Sequence, residues 1–155
     1  MQDDDEVRRI KKKYKVQKNI WIIKPGENTN RGNGINVCST LHEIKSIISK
    51  AAVNPLTKDR TFIIQKYIDN PLLINNRKFD FRCYGMLTCI NGMLKGYFYN
   101  DAYIRTSCVE FDIDNVQNKF IHLTNDAVQK WSEDYGKYEN GNKMSLSDFQ
   151  KYLNL

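Results

Sequence analysis

Trp21-Ile22-Ile23-Lys24-Pro25-Gly26-Glu27-Asn28-Thr29-Asn30-Arg31-Gly32-Asn33-Gly34-Ile35 is the stretch on which the fold turns. A short apolar run ends on a lysine and opens into a polar loop with three glycines and an arginine. The chain becomes apolar again at Ile35 and Val37. Glycine lets backbone N–H groups approach an anion without a Cβ in the way, and Lys and Arg add charge. The stretch therefore suits a polyphosphate. An ordinary Pro-Gly loop with solvated charges has the same composition, so the downstream chain must decide.

The 155 residues suit one domain large enough to bury a core. No apolar run approaches the roughly 18 residues needed to span a bilayer, so a membrane partner is not expected. The N-terminus is acidic and then basic, which does not suit a signal peptide. Cys38, Cys83, Cys89 and Cys108 lack C-x-x-C spacing and read as reduced thiols of a cytoplasmic protein, not as a zinc site. The net charge is +6, and residues 1–18 hold seven basic and four acidic side chains, a charge-dense arm. No zinc-finger, helix-turn-helix or RNP motif accompanies it, so nucleic acid is not the expected partner.

Outward from the opening stretch, Asn19–Lys24 reads as a first strand stopped by Pro25, and Ile35–Cys38 as a second. The two would form a hairpin with the glycine loop at its tip. Thr40 and Glu43 have capping-box spacing for a helix over about 41–52, with Leu41, Ile44, Ile47 and Ile48 on one face and Asn54-Pro55 as its stop. Thr61–Ile68 reads as a third strand and Leu72–Ile74 as a short apolar piece before an Asn75-Asn76 turn. Lys78–Ile90 alternates as one long strand, with Lys78, Asp80 and Arg82 on one face. Asn91-Gly92 is a hairpin signal, with Met93–Asn100 as its return strand. Tyr103–Thr106 reads as strand or turn, and Val109–Lys119 as irregular. Phe120–Leu123 leads through Thr124-Asn125 into a helix to about Trp131. Ser132–Lys143 is turn-rich, and Met144–Leu153 is a final helix with Ser145 and Asp148 at capping-box spacing.

Polar groups stand where a core wants apolar ones. If one strand face lines a cleft, Lys24, Lys66, Lys78, Arg82 and Arg105 converge on one anion. Each contact would be worth about 1–4 kcal/mol at ~4 Å, and without a polyphosphate the cations would repel. Each residue also has a plain structural reading. Asp80 and Arg82 could form a same-face ion pair, and His122 could be a structural histidine. The chain has no G-x-x-x-x-G-K-[ST] and no H-R-D or D-F-G, which removes P-loop and kinase folds. Gly32-x-Gly34 lacks the βαβ context of a dinucleotide fold.

Six segments in order carry a resemblance. They are Trp21–Pro25, Asn30–Ile35, Gln65–Leu73 (Gln-Lys-Tyr-Ile-Asp-Asn-Pro-Leu-Leu), Lys78-Phe79-Asp80-Phe81-Arg82, Tyr103-Ile104-Arg105 and His122-Leu123-Thr124-Asn125. The chain resembles the tubulin–tyrosine ligase and tubulin–tyrosine ligase-like family, whose core is an ATP-grasp fold. The resemblance implies an α+β, antiparallel ATP-grasp-type domain, here incomplete. Residues 19–74 would be the glycine-loop subdomain and 75–155 the start of the C-terminal subdomain. It implies ATP-dependent ligation of an amino acid (Glu, Gly or Tyr) to tubulin or microtubules, at the cytoskeleton, with cilium or basal body as candidate places.

The resemblance also implies residue roles. Lys24 would contact ATP phosphates, under a loop including Arg31, Gly32, Gly34 and Ile35. Gln65, Lys66, Tyr67 and Ile68 would read adenine, largely through backbone groups. Lys78 and Asp80 would face the ribose side. Arg82 and Arg105 would be catalytic, stabilising the γ-phosphate and an acyl-phosphate made from it. His122, Thr124 and Asn125 would line the far side. The Mg2+ ligands would lie outside this chain, since no Glu-x-Asn pair follows in a strand setting and Glu133, Asp134 and Glu139 sit in a polar loop. The chain alone is therefore expected to be inactive. The alternative is a non-catalytic nucleotide- or microtubule-binding module.

Overall fold

A computed structural model describes residues 18–154 except 28, 55 and 57–60. The charged arm before Lys18 and the Pro55 stop lie outside the described residues. Strand β1 (Trp21–Pro25) pairs antiparallel with β2 (Asn36–Cys38) on one side and with β3 (Phe62–Lys66) on the other. The expected hairpin is present, with the glycine loop at its tip. Helix α1 (Leu41–Val53) starts on a complete capping box, in which Thr40 accepts from the Glu43 N–H and the Glu43 side chain returns to Thr40 N–H. Its buried Ile44, with Ile47 and Ile48, packs on Ile23, Cys38, Trp21 and Phe62. Leu41 does not join that face: in the first turn, it stays exposed.

The second sheet has the order β4-β5-β8-β9, formed by Leu73–Ile74, Arg77–Arg82, Tyr103–Glu110 and Lys143–Ser145. The Asn75-Asn76 turn joins β4 to β5 with both residues at positive φ, the geometry of a two-residue hairpin. Strand β8 is longer than its sequence suggested, running through Val109 and Glu110, and its Ile104, Thr106, Ser107 and Cys108 are buried.

The long strand expected over Lys78–Ile90 is instead two. Strand β5 stops at Arg82, and β6 (Gly85–Ile90) pairs with β7 (Met93–Phe98) as a separate hairpin around Asn91-Gly92. The reason lies in the register. Arg82 pairs with Tyr103 and Gly85 with Phe98, so Cys83 and Tyr84 face four residues, 99–102, on the return path. That mismatch cannot be absorbed by a regular ladder.

Two short helices, α2 (Lys119–His122) and α3 (Asp126–Gln129), sit against β8. Helix α3 is shorter than the stretch to Trp131 anticipated for it, and Asn125 caps it without a side-chain hydrogen bond. The last helix, α4 (Leu146–Leu153), is capped by Ser145, and its Phe149 packs against Phe79 and Phe81 at centroid distances of 5.5 and 5.3 Å. That packing covers one face of the second sheet and leaves Lys78, Asp80 and Arg105 on the other. Among the described residues, no helix is long and apolar enough to cross a membrane.

Candidate functional site

The glycine loop is held in a tight conformation. Arg31, Gly32 and Gly34 all have positive φ, and Asn33 N–H and Ile35 N–H donate to the carbonyls of Asn30 and Gly32. A Cβ on Gly34 would stand 2.7 Å from Pro25 Cγ. One on Gly32 would stand 3.0 Å from Val128 Cγ2 and 3.2 Å from Asn125 Oδ1. The loop thus bends back onto its own strand and reaches the start of α3.

Of the clefts along this loop, two share Asn30, Arg31 and Asn125. One, of about 290 Å³, is lined by Lys24, Thr29, Ile63 and the loop. The other, of about 420 Å³, adds Arg82, Arg105, Asp126 and Lys130. The sequence-derived convergence of Lys24, Arg82 and Arg105 on one region is therefore present, with Arg31 as the joint between the clefts. Lys24 Nζ donates to Gln65 Oε1 at 2.8 Å. Arg105 is aimed by Asp80, whose carboxylate accepts from both Nε (2.8 Å) and Nη2. The two residues are direct partners across β5 and β8. This pairing replaces the same-face Asp80–Arg82 ion pair and leaves Arg82 exposed at the cleft mouth. The hydrogen bonds that Arg105 donates to Asp80 raise its pKa, so this group stays cationic.

Behind the clefts runs a buried relay. Lys78 Nζ donates to Tyr67 Oη at 3.0 Å and to the His122 carbonyl at 2.9 Å. Tyr67 Oη donates to His122 Nδ1 at 2.9 Å, and His122 Nε2–H donates to the Asn115 carbonyl at 2.9 Å. Burial pushes the His122 pKa down, which agrees with a neutral ring accepting at Nδ1. Burial, followed by the charge of Lys24, lowers the Lys78 pKa to about 8 against the opposing pull of Asp80.

Lys66 does not join the clefts. It lies opposite Trp21, on the α1 side of the first sheet, where its ammonium bonds the Lys18 carbonyl and stacks 5.3 Å from the Trp21 ring. The Tyr67 N–H donates to the Ile20 carbonyl, and Ile68 is exposed. Thr124 is buried between His122 and Asn125. Sequence reasoning missed Asn30, Asp126 and Lys130, which line the larger cleft. It also missed Gln129, which is fully buried and ties β8 to the helices: its Oε1 accepts from Cys108 N–H at 2.7 Å and its Nε2 donates to the carbonyls of Phe120 and Leu123. The available signal was the spacing of Asp126 and Lys130, four residues apart.

Magnesium was expected to be held by ligands outside this chain. Among the described residues, no group of three or more His, Cys, Asp or Glu side chains comes together. Asp80 is occupied by Arg105, Asp126 by the Tyr135 hydroxyl at 2.6 Å, and Glu139 by Arg77 and Thr106. These residues do not make a magnesium site.

A cleft lined by cations lies under a positive-φ glycine loop in an antiparallel α+β domain. The family model for the tubulin-tyrosine ligase family matches residues 1–155. The chain belongs to that family, and its antiparallel α+β architecture is that of part of an ATP-grasp-like domain. Tubulin glycylase 3B of Tetrahymena thermophila is 38% identical over 138 residues, covering 88% of this chain and 11% of that protein. A probable alpha-tubulin polyglutamylase of the same organism is 36% identical over 140 residues, covering 87% of this chain and 33% of that protein. A tubulin monoglycylase of Mus musculus is 42% identical over 117 residues, covering 75% and 12%. The chain thus spans about a tenth to a third of the length of these relatives.

Proposed function

We propose that this chain is the nucleotide-binding part of an ATP-dependent ligase that attaches an amino acid to tubulin. The observation that carries the reading is the meeting of two clefts at Arg31, with Lys24 in one and Arg82 and Arg105 in the other. In this reading Lys24 and the Arg31–Ile35 loop hold the ATP phosphates. Gln65–Ile68 border the adenine, mainly through backbone groups, and Lys66 supplies no charge to it. Lys78 and Asp80 stand on the ribose side, with Asp80 also aiming Arg105. His122, Thr124 and Asn125 form the far wall. Residues 19–74 form the glycine-loop subdomain and 75–155 the start of the C-terminal one; the first sheet lies wholly within the former, while β4 at Leu73–Ile74 crosses over to join the second sheet.

The reaction is ligation through an acyl-phosphate. A tubulin carboxylate oxygen attacks the γ-phosphorus, and ADP leaves. The amine of the amino acid then attacks the acyl carbon, losing a proton, and phosphate leaves as the amide forms. Negative charge grows on the transferring phosphoryl oxygens, where Arg82 and Arg105 offer fixed positive charge. The glycylase relatives favour glycine as the amino acid. With the Mg2+ ligands expected outside this chain, the chain alone is expected to bind nucleotide without ligating. The alternative, a non-catalytic nucleotide- or microtubule-binding module, predicts that the whole protein also fails to ligate. Thermal unfolding with a non-hydrolysable ATP analogue tests the binding reading. The analogue should raise the melting temperature of this chain, and Lys24→Ala should abolish the rise. An unchanged rise in the Lys24→Ala protein would refute the site assignment, and amino-acid transfer to tubulin by this chain alone would refute its inactivity.

A further inference from the structure

Among the residues lining the larger cleft, Asp126 is the sole acidic one, set among Arg31, Arg82, Arg105 and Lys130. A polyphosphate would be served by cations alone, so a carboxylate at this place needs another account. Asp126 and Lys130 lie one helical turn apart, with Lys130 N–H donating to the Asp126 carbonyl. Both residues line the same cleft, and the Asp126 carboxyl is held below its ordinary value first by the hydrogen bond from Tyr135, then by Lys143 and last by Lys130. Tyr135 Oη donates to Asp126 Oδ1 at 2.6 Å, and Lys143 Nζ approaches the same oxygen at 3.4 Å. Oδ2 takes no hydrogen bond among the described residues. One oxygen is anchored, so the other is held at the cleft with little rotational freedom.

A carboxylate beside an ammonium is the complement of a zwitterion. Resting on the ligase reading above, we propose that the Asp126–Lys130 pair is the docking point for the incoming amino acid. Asp126 takes the α-ammonium and Lys130 takes the α-carboxylate, which leaves Arg82 and Arg105 for the transferring phosphoryl group. The adjoining cleft at Lys24 and the glycine loop remains for phosphate. Asp126 recognises and orients the amine; its depressed pKa makes it a poor base for removing the amine proton.

The test compares glycine with glycolate, which keeps the carboxylate and replaces the ammonium by a hydroxyl. Binding of each to the full chain, with a non-hydrolysable ATP analogue present, is followed by NMR titration. The wild-type chain should prefer glycine, and Asp126→Asn should erase that preference, a loss of about tenfold or more for a charged hydrogen bond. Lys130→Met should weaken both ligands alike and preserve their ratio. Asp126→Asn is isosteric, and its binding of the ATP analogue, measured on the same sample, verifies its fold. A glycine preference that survives Asp126→Asn, or a wild-type chain with no preference, overturns the proposal. Loss of analogue binding by the wild-type chain would instead strike the ligase reading itself.

Discussion

The hydroxyl of Tyr67 lies 2.9 Å from Nδ1 of His122, and that bond ties the end of the first sheet to the helices on the second. Tyr67 directly follows β3, and His122 ends α2. Both are nearly inaccessible to solvent, and their rings meet edge to face at 5.4 Å. The two sheets that bound the clefts are therefore fixed to each other partly through one phenol. Replacing Tyr67 by Phe leaves His122 Nδ1 without a donor and Lys78 with one fewer acceptor. Stability should fall by about 1–3 kcal/mol, read from urea unfolding. Affinity for an ATP analogue should fall as well, because the sheets lose a shared anchor.

Lys78 makes the same region sensitive to pH. Its pKa of about 8 in the folded chain lies below the ordinary lysine value of roughly 10.4. Between these values the unfolded chain binds more protons than the folded one, so this residue makes stability rise with pH from about 8 to about 10. Nucleotide affinity should move the other way, falling as the ammonium loses its proton. Chemical denaturation and analogue titration across this range should show both trends. Lys78→Met should remove that contribution from each, leaving flatter profiles.

The glycine loop gives a local prediction. Gly34 combines a φ of 73° with a Cβ position 2.7 Å from Pro25 Cγ. Gly34→Ala should cost about 1–3 kcal/mol in strain, or the loop should shift to relieve it. In either case, affinity for the ATP analogue should drop by tenfold or more (roughly 1.4 kcal/mol per decade), measured by calorimetry. Gly92→Ala is the comparison. It shares a positive φ, but a Cβ there meets nothing within 4 Å, so it should weaken the β6–β7 turn without touching nucleotide affinity.

Stability of the second sheet depends on a pair that the sequence hides. Arg77 is 1% exposed, yet its guanidinium bonds both oxygens of Glu139, and Nη1 also donates to the Ser107 carbonyl at 3.0 Å. Burial alone would raise the Glu139 pKa. The hydrogen bonds from Arg77 and Thr106 overcome it and hold the carboxyl below its ordinary value. Removing one partner strands the other. Glu139→Ala should destabilise the chain by about 3–5 kcal/mol in urea, with the nucleotide-site residues unaltered. For the native protein the contribution of this pair is lost as pH falls through the depressed Glu139 pKa.

Local signals in the sequence were strong enough to place most elements. Thr40 and Glu43 define the start of α1, Asn91-Gly92 the β6–β7 turn, and the β-branched and aromatic run stopped by Pro25 the first strand. What escaped was non-local. Nothing within Lys78–Ile90 shows that its partner strand carries two extra residues, so the break at Cys83-Tyr84 could not be read. Glu139 sits in a turn-rich segment, and only the fold brings it to Arg77, 62 positions away. The candidate site divided similarly. Lys24, Arg31, Arg82 and Arg105 were legible as cations at strand ends and loops. The face of Lys66 was not, because it depends on the register between β1 and β3. Asp126 and Lys130 needed the short helix to place them together at the cleft.

In the proposed function the glycine loop and its cations receive the phosphates of a nucleotide. Titrating a non-hydrolysable ATP analogue into the isotopically labelled full chain, with every backbone amide followed by NMR, tests it most directly. The largest shifts are expected at Arg31, Gly32, Gly34 and Asn125, with Thr88 and Leu94 in the β6–β7 hairpin unmoved. Saturable binding that leaves Arg31–Gly34 unshifted, or no binding at millimolar analogue, would contradict it.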